Sequence, residues 1–263
     1  MKAAFFKAHG GPEVLQIGEL PTPSPDWGEV LVRVRSASLN HLDLWVRQGL
    51  PGLKLAFPHI PGCDAAGVVE EVGPGVTAFK KGDAVVVHPG LSCGSCEACG
   101  SGWESLCPEY RILGEHLSGA FAEWVKVPAR NLFAKPDALS FDQAAAVPLV
   151  FTTAWQMLVR RAKVQAGEKV VIHAAGSGVG SAGVQIAKLL GATVIATAGS
   201  EEKLEQAKKL GADHAVLYTQ EDWFRQIRKL APEGCEVIFD HLGKDFWAGN
   251  IRAIRNGGRI VLC

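Results

Sequence analysis

The sequence has no surplus charge of either sign: 27 Lys and Arg balance 27 Asp and Glu over 263 residues. Residues 1–130 carry a net −3 and the remainder +3. Neither half therefore offers the basic surface that nucleic acid or an anionic membrane requires. Long hydrophobic runs are also missing. No apolar run reaches the ~18 residues of a membrane span. The opening stretch, Met1-Lys2-Ala3-Ala4-Phe5-Phe6-Lys7, breaks at Lys7, too soon for the core of a signal peptide. There is no internal repeat and no low-complexity segment. With 48% hydrophobic and 21% charged residues, the composition excludes a disordered chain, which has too little apolar surface to offset chain entropy. These absences predict a cytoplasmic protein with no nucleic-acid and no membrane partner. Seven cysteines in such a chain point to metal or reactive thiols before disulfides.

The length suggests about two domains, and the pattern changes near residue 135, which predicts domains at 1–134 and 135–263. In the first part, short β-like runs lie between glycines and prolines. In the run from Glu29 to Arg35, Val30, Val32 and Val34 share one face and Arg33 and Arg35 the other. Gly67–Val72, Asp83–His88 and Phe121–Val127 read similarly, so an antiparallel barrel or sandwich is expected. From Ser140 onward the pattern alternates between helix and strand. Ser140 and Gln143 form a Ser-x-x-Gln capping box ahead of a helix running to Ala162, kinked at Pro148. Ser200 caps a helix carrying Leu204, Ala207 and Leu210, closed by Gly211. Thr219 is expected to cap a helix with Trp223, Ile227 and Leu230. A last helix carries Trp247, Ile251 and Ile254 and is ended by Gly257. Val170–Ile172, Thr193–Thr197, Glu236–Phe239 and Arg259–Leu262 are apolar strands, and His214–Tyr218 is a weaker one. This alternation predicts an α/β, doubly wound parallel sheet of the Rossmann class. Such a domain normally has six strands and about five are visible, which predicts a truncated C-terminus.

Three motifs carry chemistry. Gly176-Ser177-Gly178-Val179-Gly180-Ser181-Ala182-Gly183 follows a strand and opens a helix, and Gly178-x-Gly180-x-x-Gly183 satisfies the dinucleotide fingerprint. Glycines there let the backbone approach a pyrophosphate that sits on the helix N-terminus. The second strand then ends Thr197-Ala198-Gly199-Ser200, with no carboxylate to accept hydrogen bonds from a ribose 2′-hydroxyl. Ser200 and Lys203 are placed to hold a 2′-phosphate, so NADP(H) is favoured over NAD(H). The alternative is that Ser200 is only a cap and Lys203 only a solvated charge. Finally, Cys93-x-x-Cys96-x-x-Cys99-x7-Cys107 presents four soft thiolates at a spacing suited to one tetrahedral structural zinc with no open position. Reduced thiols and an iron–sulfur cluster are the other readings of that pattern. Cys235 and Cys263 fall in predicted strands and are expected in the core.

Together with Pro61-Gly62-Cys63-Asp64-Ala65-Ala66-Gly67-Val68-Val69, these features resemble the medium-chain dehydrogenase/reductase superfamily over essentially the whole chain. The resemblance implies an N-terminal GroES-like β-barrel catalytic domain followed by a Rossmann domain. It also implies a small-molecule substrate and, for the full-length protein, a homo-oligomer. The zinc alcohol dehydrogenases of the family hold a catalytic zinc through Cys, His and Cys. Carried over by position, these ligands fall on Asn40, Cys63 and Leu149, of which only Cys63 can bind a metal. The run Asn40-His41-Leu42-Asp43-Leu44-Trp45-Val46-Arg47-Gln48-Gly49 resembles instead the string of the quinone oxidoreductase branch, which works without catalytic metal and generally uses NADPH. That resemblance implies Asn40 as donor to a substrate carbonyl, with Asp43, Cys63 and Asp64 in the same catalytic region. It implies His41 near the cofactor pyrophosphate and Thr153 near the nicotinamide. Asp43 has a second reading as an i, i+4 partner of Arg47. The expected function is hydride transfer between a nicotinamide and a carbonyl, quinone or enone without catalytic zinc. A zinc-dependent alcohol dehydrogenase and a non-enzymatic NADP(H)-binding protein are the alternatives.

Overall fold

A computed structural model describes residues 1–220 and 222–263. The chain divides into two compact units, Met1–Leu149 and Val150–Cys263. Strands of the first unit are β1 (Lys2–Phe5), β2 (Gln16–Glu19), β3 (Glu29–Ser38), β4 (Asp64–Val72), β5 (Ala84–Val87), β6 (Gly90–Leu91), β7 (Arg111–Ile112), β8 (Trp124–Pro128) and β9 (Leu132–Ala134). Its helices are α1 (His41–Gln48), α2 (Glu97–Gly100) and α3 (Phe141–Ala145). Five strands form an antiparallel sheet in the order β8-β3-β4-β5-β9. The expected alternation sets its core: Val30 and Val32 are fully buried and pack with Ala65, Val69, Val85 and Val125, while Arg33 and Arg35 are exposed.

α3 opens with the predicted capping box, in which the Ser140 hydroxyl accepts the Gln143 N–H and the Gln143 side chain accepts the Ser140 N–H. The helix then stops at Ala145, whereas one kinked helix to Ala162 was expected. Pro148 has no N–H to continue a helix, and it opens a new one, α4 (Pro148–Trp155), followed by a π-helical turn over Gln156–Arg161. Ala144 and Ala145 pack on Ala66 of β4. α3 therefore belongs to the first unit, and the division falls after Leu149 rather than after residue 134.

The second unit holds β10 (Lys169–Ile172), β11 (Thr193–Ala198), β12 (His214–Leu217), β13 (Cys235–Asp240) and β14 (Ile254–Leu262), with α5 (Gly178–Leu189), α6 (Glu201–Lys209), α7 (Trp223–Leu230) and α8 (Lys244–Ala253). All strand pairs are parallel, in the order β12-β11-β10-β13-β14. The three central strands, β10, β11 and β13, bury both faces. Val170, Ile172, Val194, Val237 and Phe239 join one core with Ala182 and Val184 of α5. Val171, Ile195 and Ile238 join a second with Ile227 of α7 and Ala253 of α8. Helices on both faces of a parallel sheet make the doubly wound α/β class. Strand order reverses between β10 and β13, and the carboxyl ends of such a pair form the crevice in which this fold binds ligands.

Several local expectations are corrected. α7 begins at Trp223 after Asp222, whose φ is +65°, so Thr219 is not its cap. Ile254 starts β14 instead of ending α8, which places Gly257 (φ +75°) within the strand. The register of β14 against β13 shifts there. Trp247 and Ile251 are exposed. Cys235 is buried but Cys263 is exposed. No helix among the described residues is long and apolar enough to cross a membrane.

Candidate functional site

The four cysteines of the first unit converge. The Sγ atoms of Cys93, Cys96, Cys99 and Cys107 lie within 4.8 Å of one another, and among the described residues they are the one such gathering of three or more His, Cys, Asp or Glu side chains. Sγ separations are 3.9 Å for Cys93–Cys99 and 3.5 Å for Cys96–Cys99. A tetrahedron with Zn–S bonds of about 2.3 Å has edges of about 3.8 Å, so the four sulfurs fit that ion. Backbone N–H groups of Ser95 and Cys96 hold the Cys93 thiol down to about 6, close to the thiolate form a metal needs. The Arg130 guanidinium donates to the carbonyls of Ser92 and Cys93 and fastens the lobe.

A second polar group gathers where β3 meets α1 and β4 begins. Asn40 is the N-cap of α1 and Asp43 its third helical residue. Asp43 accepts the Asn40 N–H at 2.7 Å through one oxygen and the Gly62 N–H at 3.0 Å through the other. The Cys63 thiol donates to that second oxygen at 3.7 Å. Asp64 is fully buried. Its Oδ2 accepts the Asn40 side-chain amide at 2.9 Å and the Ser38 hydroxyl at 2.9 Å, and its Oδ1 accepts the Leu149 N–H at 2.9 Å. Burial pushes the Asp64 carboxyl up to about 6 against the pull of these donors, and burial raises Asp43 as well. Burial, with the two neighbouring carboxylates, drives the Cys63 thiol far up, which holds it neutral. The i, i+4 pairing of Asp43 with Arg47 is not made; Arg47 Nε donates to the Gly10 carbonyl. His41, the first residue of α1, is exposed and packs edge-on against Trp45 at 5.2 Å.

In the second unit the predicted glycine-rich turn joins β10 to α5. Ala174 turns the chain at φ +42°, and the Ser177 hydroxyl caps α5 by accepting the Gly180 N–H at 3.0 Å. A Cβ on Gly180 would overlap the Ala174 carbonyl, so only glycine fits there. On Gly183 a Cβ would lie 3.4 Å from Phe239, an ordinary contact. A Cβ on Gly178 would meet Val150 at 2.9 Å, and one on Gly176 would meet Lys203 Cγ at 2.8 Å. The stem of Lys203 thus lies along the turn, while Ser200 caps α6 by accepting the Lys203 N–H. Val179 packs at the margin of the core, and Thr153 is half-buried on α4. The structure therefore gathers the predicted residues into three groups: the thiols; Asn40, Asp43, Cys63 and Asp64; and the glycine turn with Lys203. Sequence reasoning missed Ser38, His173 and His241. The His173 ring, held neutral by burial, bridges Thr197 at 2.8 Å and Asn250 at 2.7 Å. A histidine one residue past a buried strand was the available signal for His241.

A parallel sheet with a glycine-rich strand-to-helix turn in one unit, and buried carboxylates in an antiparallel other, suit the class of nucleotide-dependent oxidoreductases. Comparison with known proteins agrees. Residues 26–137 match the alcohol dehydrogenase GroES-like domain, and residues 178–263 match the zinc-binding dehydrogenase family. The chain is 38% identical to an alcohol dehydrogenase of Geobacillus stearothermophilus, covering 100% of this chain and 77% of that one. It is 30% identical to a quinone oxidoreductase of Homo sapiens, covering 100% and 72%. The crystal structure of an NAD-dependent alcohol dehydrogenase superposes with a TM-score of 0.97 at 54% identity, over 100% of this chain and 77% of that one. The chain belongs to the medium-chain dehydrogenase/reductase superfamily. It is an NAD(P)-dependent oxidoreductase of the alcohol dehydrogenase and quinone oxidoreductase type, acting on small molecules, which sets aside the non-enzymatic alternative.

Proposed function

We propose that the protein moves hydride between a nicotinamide dinucleotide, NADP(H) in preference to NAD(H), and a carbonyl, quinone or enone, with no metal at the reacting centre. The observation that carries this reading is the fate of the three zinc-ligand positions. Asn40 and Leu149 both donate to Asp64, the first through its side-chain amide and the second through its backbone N–H. A catalytic zinc needs three side chains that offer it a lone pair, as thiolate, neutral imidazole or carboxylate, around an open position, and neither an amide nor an alkyl chain is one of these. When bound, the nicotinamide supplies or receives the hydride.

The chain's own residues do the rest. The glycine turn and the free N–H groups at the start of α5 receive the pyrophosphate. One N–H of the Asn40 amide is held by Asp64, which orients the group and leaves its second N–H to polarise a substrate oxygen. Asp43 and Asp64 are positioning residues for Asn40, with Cys63 packed beside them. His41 serves the pyrophosphate and Thr153 the nicotinamide. Ser200 and Lys203 favour a 2′-phosphate, since no carboxylate side chain stands between Thr197 and Ser200. Cys93, Cys96, Cys99 and Cys107 hold one structural zinc.

The names of its relatives favour a second reading, an alcohol dehydrogenase using NAD; a catalytic zinc in it would have to be held around Cys63. Zinc per chain, followed by activity after mild chelation, separates the two. About one zinc, with NADPH-driven quinone or enone reduction that survives chelation, supports the first reading. About two zincs, with alcohol oxidation that chelation abolishes, replaces it with the second.

A further inference from the structure

We propose that His241 is a further cofactor-positioning residue, whose Nδ1–H donates a hydrogen bond to an oxygen of the second phosphate or its ribose, on the nicotinamide side of the bound dinucleotide. The proposal rests on the dinucleotide reading above. It begins from topology. His241 follows directly on the last residue of β13, and Ser177 lies in the turn leaving β10. These two neighbouring strands flank the point where strand order reverses, and their carboxyl ends line the ligand crevice.

Hydrogen-bond accounting fixes the ring. Ser177 Oγ and His241 Nε2 lie 2.9 Å apart, and the same Oγ accepts the Gly180 N–H at 3.0 Å. If the serine hydroxyl donates to Nε2, every one of these groups is satisfied and the ring carries its proton on Nδ1. If Nε2 donated instead, the serine proton would need another acceptor, and the Ser177 hydroxyl has no further partner among the described residues. Burial holds the His241 ring below the ordinary histidine range, in keeping with a neutral imidazole. Nδ1 is itself buried and has no hydrogen-bond partner among the described residues.

Nearby groups do not supply the missing acceptor. The Asp240 carboxylate accepts the Leu242 and Gly243 N–H groups and the Asn250 amide. A flip of the ring would put a carbon where Nε2 stands and break its bond to Ser177. Buried donors without acceptors are rare in native proteins. This one sits beside a turn shaped for phosphate, and an oxygen of a bound dinucleotide completes it. Ser177 then has two duties: its oxygen caps α5 and its proton sets the tautomer of His241.

Two substitutions separate the ring nitrogens. The His241→Asn side chain places an amide near Nδ1, and the His241→Gln side chain places one near Nε2. Dissociation constants of the whole chain for NADPH, NADH, ADP-ribose and AMP are measured by calorimetry, with thermal unfolding of each variant as the folding control. Asn is expected to bind within about twofold of the parent, and Gln about tenfold more weakly. ADP-ribose is expected to show the same loss and AMP none. In 15N spectra of the parent, the His241 ring is expected as the Nδ1–H tautomer, with that proton shifting when ADP-ribose is added. Unchanged binding by Gln, equal losses for Asn and Gln, or an Nε2–H tautomer overturns the role of His241 alone. A parent chain that binds neither dinucleotide overturns the dinucleotide reading and the role of His241 with it.

Discussion

One carboxylate, Asp64, binds both Asn40 and Leu149: Oδ2 accepts the Asn40 amide and Oδ1 the Leu149 backbone N–H, each at 2.9 Å. The two residues are the ones standing where metal ligands are found in the zinc-dependent branch. A single buried hydrogen-bond-accepting carboxyl thus organises the space that a cation and its ligands would otherwise fill.

The protonation of Asp64 gives the first prediction. Its folded pKa, about 6, lies above the ordinary aspartate value of 3.8, because burial penalises the charge. A raised carboxyl pKa means that the folded chain holds a proton the unfolded chain has released. The associated stability is present below pH ~4 and is lost as pH rises to ~6, at most about 3 kcal/mol. In thermal unfolding from pH 4 to 7, the parent is expected to lose stability relative to Asp64→Asn over that window. A constant difference between the two would show that Asp64 is ionised throughout.

Zinc content gives the second. The parent is expected to carry about one zinc per chain, and Cys96→Ser close to none, since a hydroxyl replaces one of four thiolates. Cys63→Ser is expected to keep the full complement. A fall in zinc for Cys63→Ser would place a metal at the reacting centre.

Glycine replacements give the third. Gly180→Ala drives a methyl into the Ala174 carbonyl, which is expected to cost about 1–3 kcal/mol and to abolish dinucleotide binding. Gly176→Ala meets the base of the Lys203 side chain, which must shift, and its cost is expected to be smaller, about 1 kcal/mol. Unfolding midpoints and NADPH titrations of the two variants check the contrast.

Lys203 gives the fourth. Lys203→Ala is expected to weaken NADPH about tenfold and leave NADH unchanged, as the loss of one charge-assisted contact to a 2′-phosphate would. Equal affinities in parent and variant would reduce Lys203 to a solvated side chain.

Much of this was legible in the sequence because it is local. The valine alternation of β3, the cysteine spacing and the strand-to-helix glycine turn each lie within a dozen residues or so. Long-range convergence was not legible. Asn40 meets Asp64 across 24 positions, Leu149 meets it across 85, and Ser177 meets His241 across 64. The helix boundaries failed where two local rules competed. Pro148 was read as a kink but starts a helix, and the apolar pattern of Trp247 and Ile251 suggested a buried face although both are exposed. In α8 it is the small or polar side, Asn250 and Ala253, that packs inward.

The unequal packing around the three glycines of the turn bears on how such chains are recognised. Gly180 is pinned by a carbonyl, whereas Gly183 has room for a methyl against Phe239 and Ile172. The fold thus has room for Gly183→Ala but none for Gly180→Ala, so the second glycine of the fingerprint carries the geometry of the turn and the third only the spacing of helix from strand.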